Sequence, residues 1–421
     1  MIEAEIVPEH ALRSATWELF LGMPINQVIE IFKRLEGTIS SVDLWYSEKS
    51  PFDYDILIHL PNNGLKLHFE PMWQRLKLIE ITDLTKIALR YLSHQVNSSA
   101  KPPNLSNVIN VFGSTKRLLA DEESGLYRLC YRGLTFLAAL SSPVDVIGST
   151  GLSSTSTVGT LVDTGSASTS IDEESLIVRR VFIFPGPNEE ASKLPPELPA
   201  GCYHGNVFLE RLHVVHANGR TVNLCFDLVC QDLLSNSLTD PKLHRFSSVL
   251  TFGDTSQDVL SALGSPSRVF YKTEDKMSIH LPQTYRQSRQ TRCDYFYNYF
   301  TLGLDVLFDS RTHRAISFIL HTNQPGEYTF NTYYRCMFEI TLKIMAPDTE
   351  AKVVTITPFT KVQSLLSGLL NERVVIHRET PSRKNPFGPT NAFNYHDLIF
   401  EVLPQNDCLA SVTIYSLPDD T

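Results

Sequence analysis

Asp55-Ile56-Leu57-Ile58-His59-Leu60, then Pro61-Asn62-Asn63-Gly64, then Leu65-Lys66-Leu67-His68-Phe69: this stretch writes out two strands and the turn that joins them. Leu65, Leu67 and Phe69 alternate with Lys66 and His68, so one strand face is apolar and the other polar. Asn63-Gly64 supplies the backbone freedom of a tight hairpin turn. A further apolar run from Arg75 to Ile81 makes a third strand. Upstream, Pro24 to Leu35 predicts an amphipathic helix, with Val28, Ile31, Phe32 and Leu35 on one face and Pro24 in the opening turn, where a missing N–H costs nothing. The grammar is one helix followed by an antiparallel meander, α-β-β-β.

The same grammar recurs along the chain, and such self-similarity decides architecture before any site does. Helices are predicted at Leu105 to Phe112, Ser256 to Leu263 and Thr360 to Leu366, with Gly113, Gly264 and Gly368 as stops. Asp254 and Thr255 are the candidate caps of the third. The strands that follow are Tyr127 to Cys130, Leu134 to Leu137 and Val178 to Phe184 in the second unit. In the third they are Tyr297 to Tyr299, Leu304 to Phe308 and Ala315 to Leu320, and in the fourth Asn391 to Tyr395, Leu398 to Val402 and Ser411 to Tyr415. The expected fold is α+β: four degenerate helix-meander units packed together, over residues 1–100, 101–200, 201–345 and 346–421. Gly148 to Ser170, almost all Gly, Ser, Thr and small apolar residues, is expected to be a disordered insertion (148–170) in the second unit, and Pro185 to Pro199 (185–199) a proline-rich linker. Val207 to Arg211, Leu212 to Val215 and Val222 to Leu228 are expected to be connecting strands that extend a central sheet.

The 421 residues are 42% hydrophobic and 20% charged, a globular balance, and a formal charge of −9 excludes a general electrostatic grip on nucleic acid. Met1-Ile2-Glu3-Ala4-Glu5 lacks the basic, then apolar, signature of a secretory leader, and no uncharged apolar run approaches the roughly 20 residues a membrane span needs. The seven cysteines are odd in number, scattered and without a C-x-x-C pair, which fits free thiols in a reducing compartment. The sequons at Asn97 and Asn104 carry no weight without secretion.

No motif for a nucleophile elbow, P-loop, dinucleotide site, zinc protease or EF-hand is present. His213 and His216 fall on opposite faces of a predicted strand and do not make a metal pair. Asp53 and Asp55 share a face but read as solvated carboxylates beside Pro51, and His396-Asp397 point apart in a strand. No catalytic residue, metal ligand or cofactor is expected. Two features suit binding. Lys272, Lys276, Arg286, Arg289 and Arg292 gather five cations, enough for an anionic lipid headgroup or phosphate, or else an ordinary solvated loop. Asn385-Pro386-Phe387-Gly388-Pro389 is a rigid turn whose Pro386 fixes Phe387 either as an anchor for a partner or as a plug for its own core. Tyr295 to Phe300 reads as a packed aromatic strand.

Leu21-Gly22-Met23-Pro24, Tyr46-Ser47-Glu48 with Ser50-Pro51, and Gln74-Arg75-Leu76-Lys77 with Asp83-Leu84-Thr85-Lys86 form one set of motifs. Phe252-Gly253-Asp254, Gln257-Asp258-Val259-Leu260-Ser261, Leu263-Gly264-Ser265-Pro266, Val269-Phe270-Tyr271-Lys272, Asn298-Tyr299-Phe300-Thr301-Leu302-Gly303 and His321-Thr322-Asn323 form a denser one. With Asn385-Pro386-Phe387-Gly388 they make the chain resemble the phagosome assembly factor 1 family over nearly its whole length, least so in the Gly/Ser/Thr insertion and around Ala200 to Leu250. The resemblance implies a cytoplasmic, non-enzymatic regulatory role in autophagy. It further implies a complex with a β-propeller protein, breast-carcinoma-amplified sequence 3, recruited to the phagophore assembly site (the preautophagosomal structure), with phosphoinositide recognition mainly on the propeller. No catalytic or cofactor residue comes with it.

Overall fold

The computed structural model describes residues 2–97, 103–115, 118–121, 125–140, 160–161, 174–187, 193–217, 219–232, 242–272, 293–343, 350–366, 369–378 and 385–416. It is α+β and mostly antiparallel sheet. The chain divides into two compact units, residues 1–47 with 53–202, and residues 48–52 with 203–421.

The first unit opens with β1 (Ile2–Val7), β2 (Ala11–Arg13) and β3 (Glu18–Phe20), then α1 (Ile25–Arg34). A meander follows: β4 (Asp43–Trp45), β5 (Ile56–Leu60), β6 (Leu65–Glu70) and β7 (Arg75–Ile81). Then come β8 (Ile87–Tyr91), β9 (His94–Gln95) and α2 (Leu105–Phe112). The unit closes with β10 (Leu118–Asp121), β11 (Leu126–Tyr131), β12 (Leu134–Leu140), β13 (Thr160–Leu161) and β14 (Leu176–Ile183). Its two sheets run β3-β2-β1-β8-β9 and β13-β10-β11-β12-β14-β7-β6-β5-β4, with β1 parallel to β8.

The second unit repeats that order of elements apart from the short β13, which has no counterpart. β15 (Val207–Ala217), β16 (Arg220–Gln231) and β17 (Leu243–Leu250) lead to α3 (Ser256–Leu263), then to β18 (Arg268–Tyr271), β19 (Tyr295–Tyr299), β20 (Leu304–Phe308) and β21 (Ala315–His321). β22 (Phe338–Lys343) and β23 (Glu350–Val354) precede α4 (Phe359–Leu365). The unit ends with β24 (Val374–Ile376), β25 (Thr390–Tyr395), β26 (Leu398–Val402) and β27 (Leu409–Tyr415). Here the sheets run β17-β16-β15-β22-β23 and β18-β19-β20-β21-β27-β26-β25-β24, with β15 parallel to β22.

The four-copy reading is not confirmed as stated, because the compact bodies number two and the full element order runs once in each. The connecting strands are also corrected. Val207 to Val215 is one continuous bulged strand, and with β16 it builds a separate five-stranded sheet instead of extending the eight-stranded one. Of residues 148–170, Thr160–Leu161 are described and form β13, and the disorder expected of the remainder lies outside the described residues. Of 185–199, residues 185–187 and 193–199 are described.

Local chemistry explains the helix starts. Thr255 caps α3 with a full capping box: its hydroxyl oxygen accepts from the Asp258 N–H, and the Asp258 carboxylate accepts from the Thr255 N–H. Thr255→Ala is expected to lower stability by about 1 kcal/mol in urea titration. Both sequons are structural: the buried Asn97 side chain accepts from Leu89 N–H and donates to the Leu84 and Ile87 carbonyls, and Asn104 caps α2.

Candidate functional site

Register in the eight-stranded sheet sorts its side chains into two faces. Leu304, Leu320, Val412, Phe400 and Phe393 stand opposite one another across five strands, as do Val306, Phe318, Ile414, Leu398 and Tyr395. Those rows form core with Val259 and Leu263 of α3 and Phe359 and Val362 of α4. Residues one step out of phase point to the other face, where the rows read Arg268-Asn298-Asp305-Ile319-Thr413 and His321-Ser411-Glu401. Those rows are largely polar, and the neighbouring row Phe270-Phe296-Leu307 adds apolar surface to the same face.

Residues 322–335 fold over it. The Tyr333 hydroxyl donates to Asp305 (2.8 Å to Oδ1), Asn298 Nδ2 donates to the same oxygen at 2.7 Å, and His321 Nε2 lies 2.9 Å from Asp305 Oδ2. The His321 ring stacks on Tyr333 at 3.8 Å with a 9° tilt. The return limb is held by Arg335, which donates to the Thr322 carbonyl and the Gln324 side chain, and by the Tyr334 N–H on the Phe300 carbonyl. Gly303 makes this approach possible. Its φ is +68°, and a Cβ there would sit 2.4 Å from the Tyr334 carbonyl oxygen and 2.7 Å from the Cys336 nitrogen. Gly303→Ala is expected to cost about 2 kcal/mol or more, read as a lower urea midpoint.

Beneath this cover lies a cavity of about 330 Å³. Asn298, Asp305, His321, Glu327, Ser411 and Thr413 supply its polar wall, Phe270, Phe296, Phe300 and Ile319 its apolar wall, and Arg268 and Arg378 its exposed rim. Arg378 grips Glu401 with two bonds, 3.0 Å and 2.6 Å, and Thr390 and Ser411 hydroxyls donate to the same carboxylate. Burial pushes Glu401 up, but Arg378 and the two hydroxyls outweigh it and hold the carboxyl below its ordinary value. Glu327 goes the other way: burial, only partly offset by His321, the Thr329 hydroxyl and Arg378, pushes it up to about 7. Asp305 orients His321 as a base would be oriented, yet among the described residues no hydroxyl or thiol is bonded to the free ring nitrogen. A nucleophile–base pair is therefore not assembled here.

Among the described residues one end of this sheet is β18, where Val269, Phe270 and Tyr271 are 42%, 40% and 62% exposed. Arg268 and Phe270 face the cavity and Tyr271 packs on Tyr295 on the other side.

Among the residues singled out from sequence, Lys272 is exposed just beyond β18, while Lys276, Arg286, Arg289 and Arg292 lie outside the described residues. Pro386 and Phe387 sit in a turn built by Asn385, whose side chain accepts from the Phe387 N–H and donates to the Gly388 carbonyl; Phe387 is exposed and plugs no core. Asp53 is exposed, and Asp55 is ion-paired with Lys77 at 2.8 Å. His216 is buried and His213 is not, in keeping with strand alternation. One reading needs correction. His396 and Asp397 form the β25–β26 turn, not a strand, with His396 at φ +50°. Asp397 turns inward to His216 Nε2, 2.9 Å away, and also accepts from the Thr221 N–H. The cavity residues Asp305, Glu327 and Tyr333 were not singled out; the available signal was a carboxylate in the middle of the apolar strand Leu304-Asp305-Val306-Leu307-Phe308.

Among the described residues no helix is long and apolar enough to cross a membrane, and no group of three or more His, Cys, Asp and Glu could hold a metal. No solved structure matches the chain. A Drosophila melanogaster PHAF1 protein is 38% identical over 99% of this chain and 94% of its own length. A Caenorhabditis elegans PHAF1 protein is 31% identical over 98% and 93%, and an Arabidopsis thaliana one 29% identical over 94% and 89%. The family model described as phagosome assembly factor 1 matches residues 15–415. The chain therefore belongs to the phagosome assembly factor 1 family.

Proposed function

We propose that this chain is a non-catalytic scaffold of autophagy that acts in the cytoplasm with a β-propeller protein of the breast-carcinoma-amplified sequence 3 type, and is recruited with it to the phagophore assembly site. Family membership supports the autophagy-related role. The observation that carries the scaffold reading is β18, among the described residues a sheet edge with three consecutive exposed apolar residues and a row of backbone groups that a partner strand can complete. A scaffold of this kind needs no polar pocket, so the cavity behind β18 calls for its own explanation.

Mixing the purified chain with purified propeller and following co-elution tests the proposal, with flotation on phosphoinositide vesicles run alongside. The expected outcome is a stable complex, and flotation only when the propeller is present. A chain that floats alone and leaves the propeller free contradicts it, and favours direct anionic-lipid binding through the Lys272 to Arg292 stretch.

A further inference from the structure

Two buried polar atoms of the cavity have no bonding partner: Glu327 Oε2 and His321 Nδ1. Their residues are 7% and 8% exposed, and both line the cavity. His321 presents Nε2 to the Asp305 carboxylate, so whenever the ring is neutral its proton lies on Nε2 and Nδ1 is the acceptor. Glu327 uses Oε1 to accept from the Thr329 hydroxyl, leaving Oε2 as a second acceptor. Unpaired buried acceptors are costly, and two of them facing one cavity select an occupant rich in N–H or O–H donors.

Charge narrows the choice further. The depth of the site carries Asp305 and Glu327, with Glu401 behind the wall on Ser411 and Arg378, whereas the guanidinium groups of Arg268 and Arg378 sit at the exposed rim. Phe270, Phe296 and Phe300 give the walls aromatic faces, which welcome a cation and an apolar chain but bind water poorly. The volume of about 330 Å³ is at the small end for ligand sites. We propose that this cavity binds a small zwitterion of free α-amino-acid size, its primary ammonium on Glu327 and His321 Nδ1 and its carboxylate toward Arg268 and Arg378.

The site is pH-linked by construction. Glu327 is faced by His321 from β21, Arg378 from the segment after β24, Glu401 from β26 and Thr329 from its own loop. Only its ionised form pairs with an ammonium, and its ordinary value has been displaced to about 7. Affinity is therefore expected to fall about tenfold between pH 8 and pH 6.

Ligand-observed NMR of the full chain with a millimolar mixture of the standard L-amino acids tests the proposal. Any binder is then titrated calorimetrically beside its des-amino acid and its decarboxylated amine. At least one amino acid is expected to bind, with the des-amino acid at least tenfold weaker. Glu327→Gln is expected to weaken binding at least tenfold and flatten its pH dependence. Arg268→Ala, on the exposed rim, should weaken the amino acid several-fold and leave the amine unchanged. Circular dichroism verifies that both variants are folded. Failure of every amino acid to bind overturns the proposal. Equal binding of the des-amino acid, or indifference to both substitutions, overturns it too and leaves the cavity to solvent or a neutral polyol.

Discussion

Asp305→Ala lowers the unfolding free energy by about 3 to 5 kcal/mol, the range for removing one partner of a buried charged network. Asp305 is 6% exposed and accepts from Asn298, Tyr333 and His321. Alanine leaves all three donors facing an apolar methyl, and each buried donor so stranded costs about 1 to 3 kcal/mol, with less than additive summing because Asn298 and Tyr333 also bond each other. Asp305→Asn keeps one acceptor and is expected to lose less. The check is urea denaturation followed by circular dichroism, with peptide-resolved hydrogen exchange over β19 to β21 and residues 322–335. Loss of protection confined to those segments marks the network as the cause. A midpoint equal to the unmodified protein's would mean that the residues over the sheet are held by packing alone.

Glu327→Gln stabilises the protein, and by an amount that depends on pH. The carboxyl titrates at about 7 in the folded chain against an ordinary 4.5, so folding favours its protonated form. The stability associated with that proton is fully present below pH 4.5 and is lost as pH rises through about 7. Glutamine mimics the protonated form at every pH. Its advantage is therefore about 3 kcal/mol at pH 8 and under about 1 kcal/mol at pH 5. Urea midpoints at the two values measure it. A pH-independent difference would show that the residue's environment is more polar than its burial implies. Tolerating an ionised glutamate at such a cost is what a residue kept for binding looks like, since an isosteric amide would fold better.

Much of the second unit was legible from local pattern. α3 was placed at Ser256–Leu263 because Thr255, Asp258 and Gly264 fix its ends by chemistry that acts within one turn. β20 and β26 were likewise placed at their observed limits, since their apolar runs are bounded by turns. The five-stranded sheets were not, because β1–β8 and β15–β22 are parallel pairings of strands far apart in the chain, which leave no trace in either strand's own alternation. The same limit hid the buried pair His216–Asp397, whose members are 181 residues apart. Asp397 was read beside its neighbour His396, yet the left-handed backbone at His396 turns the two carriers apart and delivers Asp397 to a different strand. The cavity needed both kinds of knowledge. Asp305 stands out in its apolar strand, but Glu327 and Tyr333 come from irregular backbone, and only the folded chain shows that they meet the sheet.

If the proposed propeller partner docks on the β18 edge, charges placed there must break the complex. Val269→Lys combined with Tyr271→Lys places two charges on that edge, at exposed positions where the main loss to the fold is the Tyr271–Tyr295 ring contact, about 1 kcal/mol. The affinity of the purified propeller for this variant and for the unmodified chain is the deciding measurement. Binding of the variant is expected to be about thirtyfold weaker or worse, with unfolding free energies within about 1.5 kcal/mol of each other. Equal affinity of the two proteins for the propeller would contradict it.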